Sequence, residues 1–62
     1  VTVELHIEGD PTVRTVTLDL GAIPAVGDTV RYGRAMYMVT HREWNLNSCS
    51  TVALFLVFAP TT

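Results

Sequence analysis

The segment Thr51–Ala59 is what most constrains the fold of this chain. Val52, Leu54, Leu56 and Phe58 fall on one alternate face, and Ala53, Phe55, Val57 and Ala59 on the other. Neither face carries a charge. A strand in a sheet with one solvated face alternates apolar and polar residues. A strand that is apolar in both phases needs cover on both sides. One face can point into a barrel core; the other requires a second contact, and a second copy of the same chain is the simplest source. Ala53, Phe55 and Val57 are therefore the expected self-association residues. The plainer alternative is that these side chains sit singly exposed, which is common on protein surfaces.

Period-two patterning extends through most of the chain. Val1, Val3, Leu5 and Ile7 alternate with Thr2, Glu4, His6 and Glu8. Gly9-Asp10-Pro11 is a turn signal, and a second strand follows from Arg14 to Leu20, with a bulge expected near Arg14 because Val13 and Val16 are out of phase. Gly21 to Asp28 reads as a loop, Thr29 to Tyr32 as a short strand, Gly33-Arg34 as a turn, and Ala35 to about Trp44 as a long strand. In strict alternation Met36, Met38, Thr40, Arg42 and Trp44 share one face of that strand, and Tyr37, Val39, His41 and Glu43 the other. Asn45 to Ser50 is a polar loop, and Pro60 ends the last strand. No segment has a helical period. The expected fold is a single all-β domain over 1–62: five antiparallel strands in meander order, curled into a small SH3-like barrel or a strongly bent sheet.

At 62 residues and 6.8 kDa the domain is near the limit of independent stability. Apolar burial contributes roughly 85–90 kcal/mol at ~25 cal/mol/Å², and ordering the chain costs roughly 90 kcal/mol. The near cancellation adds to the expectation of a homodimer or higher homo-oligomer.

Composition excludes several classes of function. Apolar residues make up 48% and charged residues 16%, so the chain has ample material for a core and is not a disordered type. A net charge of -2 argues against general nucleic-acid binding. The eight-residue apolar run Val52–Ala59 is too short for a membrane-spanning helix, and the opening Val-Thr-Val-Glu gives no expectation of a signal peptide. One cysteine, Cys49, permits neither an internal disulfide nor a cysteine-based zinc site. A cytoplasmic setting is expected, because small secreted domains usually carry disulfides.

Ile23-Pro24-Ala25-Val26-Gly27-Asp28-Thr29-Val30, followed by Tyr32-Gly33 and Tyr37-Met38-Val39, is a phrase of physical content. Gly27 and Asp28 turn the chain into a strand, Gly33 turns it back, and Tyr37 and Val39 pair against it. The phrase resembles one recurring in SH3-like barrels and in short proteins of phages and mobile elements. The resemblance covers about a third of the chain. It implies a small barrel and, by analogy, an accessory protein of a phage or mobile element.

Candidate chemistry is sparse. His41 and Glu43 share a strand face, as a base and an orienting carboxylate would, and Cys49 follows in the loop; the plain alternative is a solvated strand face. His6 and His41 with Glu4 or Glu43 would suit zinc only if their strands were neighbours, and no short ligand spacing supports it. No catalytic residue, metal or cofactor is expected. All four cations are arginines. Arg42 and Trp44, with Arg31, Tyr32, Arg34, Asn45 and Asn47, form the candidate ligand- or partner-binding set, since guanidinium forks grip phosphate and aromatic faces stack bases. The plain alternative is that Trp44 plugs a barrel end and the arginines guard strand edges. The function expected is that of a non-enzymatic binding module acting on a host protein, in the host cytoplasm if phage-encoded. The alternatives are an oligomeric sponge for a small nucleotide signal and a structural virion or assembly component.

Overall fold

A computed structural model describes residues 1–47 and 51–59. It contains five strands: β1 (Thr2–Ile7), β2 (Arg14–Thr17), β3 (Thr29–Tyr32), β4 (Ala35–Asn45) and β5 (Thr51–Phe58). One turn of 3-10 helix, Leu20–Ala22, lies between β2 and β3. The fold is all-β, as the alternation predicts, and the single sheet curls into a half-barrel.

The strand order is β2-β1-β5-β4-β3, and this corrects the expected meander. β1 and β2 form the expected hairpin, and β3, β4 and β5 follow one another antiparallel. However, β2 and β3 do not pair; β1 instead lies parallel to β5, from Thr2 opposite Thr51 to Ile7 opposite Leu56. The cause is the two-phase apolar character of β5. Such a strand is best placed in the middle of a sheet, with a neighbour on each edge. The long connection between β2 and β3 frees those two strands to become the sheet's edges.

The inner face carries the core. Val3, Leu5 and Ile7 of β1, Tyr37 and Val39 of β4, and Val52, Leu54 and Leu56 of β5 are buried together. Val16, Leu18, Ile23, Val30, Tyr32 and Ala35 pack on its rim. At roughly 25 cal/mol/Å² each fully buried aliphatic side chain contributes about 1.5–3 kcal/mol before entropy is counted.

Turn chemistry follows the sequence. Gly33 has φ +63° and Arg34 does not share the positive φ, the pattern of a two-residue II′ hairpin between Tyr32 and Ala35. Gly27, at φ +95°, donates its N–H to the Val39 carbonyl at 2.8 Å, while Val39 donates to the Asp28 carbonyl at 3.0 Å. The Asp28 carboxylate accepts from the Ala25 N–H at 2.8 Å, closing the Pro24–Asp28 loop. The Val-Gly-Asp phrase thus extends the β3–β4 ladder.

Two local expectations are revised. β1 and β2 run in unbroken register from Thr2 opposite Thr17 to Leu5 opposite Arg14, with no bulge near Arg14. Val13 lies in the turn before β2, and β2 ends at Thr17 rather than Leu20. The irregularity lies instead in β4. Val39 is opposite Leu56 and His41 is opposite Phe55, leaving Thr40 as an extra residue. The phase of β4 switches there. Arg42 and Trp44, opposite Leu54 and Val52, join Tyr37 and Val39 on the inner face. His41 and Glu43 join Met36 and Met38 on the outer face. Ser48, Cys49, Ser50 and Pro60 lie outside the described residues.

Candidate functional site

The outer face is organised around Phe55 at the centre of the sheet. Its parallel neighbour is His6 on β1, and its antiparallel neighbour is His41 on β4. The His6 ring stacks on Phe55 at 4.8 Å between centroids and 20° between planes. The His41 ring meets the same phenyl at 5.4 Å and 52°. Each histidine has a carboxylate two residues away on its own strand. His6 Nε2 lies 3.3 Å from Glu4 Oε1, and His41 Nε2 lies 3.7 Å from Glu43 Oε2. Across three strands His6 and His41 flank Phe55, and Glu4 and Glu43 flank Ala53 in the next outward-facing row. Ala53 and Val57 extend the uncharged centre along β5; both, like Phe55, are half-buried. Met38, 41% exposed and opposite Val57, widens the apolar strip.

This face answers two sequence expectations. Ala53, Phe55 and Val57 do lie together on the side of β5 away from the core, and among the described residues no segment of the chain is laid over them. His6 and His41 do not come together. A whole strand and the Phe55 ring lie between them, and no three His, Cys, Asp or Glu among the described residues gather as a metal set would. Phe58 is 67% exposed at the end of β5, its ring 5.1 Å from that of Tyr37.

The Arg and aromatic set divides. Arg42 and Trp44 are neighbours on the inner face, with the guanidinium carbon 6.0 Å from the indole centroid. Arg42 Nη1 also donates to the Pro24 carbonyl at 3.4 Å. Asn45 ends β4 beside them, and its side-chain oxygen accepts from the Asn47 N–H at 3.1 Å. Tyr32, opposite Ala35, lies at the other end of β4, on the order of 30 Å along the strand at ~3.3 Å per residue. Arg34 is in the turn beside it. Arg31 is opposite Met36, on the outer face. A pocket of Arg42, Trp44 and a tyrosine is therefore not assembled within one chain.

A different group does assemble at the Tyr32 end. Ile7, Asp10, Arg14, Tyr32, Arg34 and Tyr37 line a shallow recess of about 320 Å³. Arg14 Nη1 donates to Asp10 Oδ2 at 2.8 Å, and the Thr12 N–H donates to Asp10 Oδ1 at 2.9 Å. The Arg14 hydrogen bond, then the Thr12 N–H, holds the Asp10 carboxyl below its ordinary range; the same contact raises Arg14. Sequence reading had no reason to bring Arg14 or Tyr37 to this site. The one available signal was the four-residue spacing of Asp10 and Arg14 across a turn.

Compared with family models, curated proteins and solved structures, the chain matches none. No helix among the described residues is long and apolar enough to cross a membrane.

Proposed function

We propose that this protein is a non-enzymatic binding module, an accessory protein of a phage or mobile element, that pairs with a second copy through the outer face of β5 and acts by contact with a host protein. One observation carries the reading: the uncharged strip Ala53–Phe55–Val57 is at the centre of the sheet and remains half-exposed. An apolar patch rimmed by polar groups marks an interaction surface. A second copy suits it because the strip is flanked alike on both sides, by Glu4 and His6 of β1 and by Glu43 and His41 of β4. A twofold axis near Phe55 lays the apolar strip of one copy on that of the other, the same patch serving both as an isologous contact requires. The phage and host assignment rests on the Ile23–Val39 phrase, and the cytoplasmic setting on the single cysteine.

Sedimentation equilibrium over a range of concentrations tests the pairing. The wild type is expected to be dimeric and Phe55→Asp monomeric but folded. Met38→Lys, at the edge of the strip, is expected to weaken the dimer without abolishing it. A well-folded wild type that remains monomeric at high concentration overturns the proposal.

A further inference from the structure

The inner face opens between the two edge strands. Leu5, Val16, Leu18, Val30 and Leu54, with Tyr32 and Arg31 at its border, line a cleft of about 200 Å³ whose exposed walls are almost wholly apolar. Tyr32 also borders the recess that holds Arg14 and Arg34. Leu5 in the cleft and Ile7 in the recess are successive inner-face residues of β1. The two hollows therefore adjoin along one mouth, greasy in the cleft and cationic in the recess.

From this juxtaposition we propose that the mouth between β2 and β3 binds a small apolar monocarboxylate, its body in the cleft and its carboxylate on Arg34 and Arg14. Charge fixes the head group. Two guanidinium groups and one carboxylate leave the recess with a single net positive charge. Asp10 occupies part of the Arg14 fork at 2.8 Å, whereas Arg34 has no carboxylate partner among the described residues. The recess by itself matches a monoanion, and Arg31 adds a further cation at the border of the cleft. The planar fork of arginine suits a carboxylate. The cleft determines the body. Its walls expose almost no polar surface to a nucleobase, and a polar ring buried there would lose its water without replacement. A hydrocarbon or phenyl body gains about 25 cal/mol per Å² removed from water. Small-ligand sites combine apolar walls with a few converging polar groups, and the two hollows together have that form. The mouth is on the opposite side of the sheet from Phe55, so this inference does not depend on the proposed dimer.

Amide NMR titration of the full chain with 4-phenylbutyrate provides the test, with 4-phenylbutanol as the neutral match and 3′,5′-cyclic AMP as a monoanion bearing a polar ring. The acid is expected to shift the amides of Ile7, Tyr32, Gly33 and Arg34. The alcohol and Arg34→Gln are each expected to weaken binding about ten-fold or more, the loss of one charge-assisted contact. The alcohol comparison uses the wild type and does not depend on how the variant folds. Equal binding of acid and alcohol, tighter binding of the cyclic nucleotide, or no shift at millimolar acid overturns the proposal.

Discussion

His6 and Phe55 stack at 4.8 Å because β1 lies parallel to β5 with these two residues directly opposite. In an open meander these residues would have been on opposite edge strands. The stack covers one side of the phenyl ring, and His41 meets the same ring from β4. Phe55 therefore ties three strands together on the outer face while leaving an apolar surface open.

Phe55→Ala is expected to destabilise the isolated chain by about 1–2 kcal/mol. The ring is only half-buried, so it loses less than the 3–5 kcal/mol of a fully buried phenylalanine. Urea unfolding of a dilute sample, below any dimer dissociation range, measures it.

Leu54→Ala should be far more costly. Leu54 is 1% exposed at the centre of the core, and its truncation is expected to cost about 2–5 kcal/mol. In a domain this small that loss leaves much of the population unfolded at room temperature, which far-UV circular dichroism will show.

The Asp10–Arg14 contact predicts an acid dependence. The folded carboxyl is held below the ordinary aspartate range, mainly by the Arg14 hydrogen bond. A carboxyl depressed in the folded state binds its proton more readily when unfolded. Its stabilising contribution is thus present above the unfolded value and fades as pH falls through the folded one. Asp10→Asn should flatten the decline of stability below about pH 4, as read by thermal melts across an acid series.

Gly33→Ala is expected to cost about 1–2 kcal/mol. No atom lies within 4 Å of the added methyl, so the loss comes from holding alanine at φ +63°. Gly33→Asn should cost less, because asparagine tolerates that region. Chemical denaturation of both variants checks the order.

Deleting Thr40 is expected to leave the chain folded. Thr40 is the extra residue of β4, and without it Val39, His41 and Arg42 alternate regularly while keeping their present faces. Cross-strand NOEs between His41 and Phe55 and between Arg42 and Leu54 should persist. A shift of these pairings by one residue would contradict the bulge.

Much of the fold was legible in the residues. Alternation located four of the strands closely, and Gly33, Gly27 and Asp28 marked their turns because few other residues adopt those conformations. Strand partners were less legible. Alternation says which face a residue takes but not which strand lies beside it, so the two-phase pattern of β5 was legible while its parallel neighbour β1 went unrecognised. The site was split in the same way. Ala53, Phe55 and Val57 share a face by period alone. Arg42 and Trp44 changed faces because an extra residue in a bulge leaves no mark in the sequence, and Arg14 reached Tyr32 only through the curl of the sheet.

Parallel pairing of the first strand with the last also governs how this molecule must be made. Partners such as Thr2 and Thr51 are separated by nearly the whole chain. The two hairpin-linked halves can each form early, but neither buries its apolar face until they join. Assembly is therefore a late, all-or-nothing search of the slow kind that high contact order imposes, with sticky half-sheets exposed in the interval.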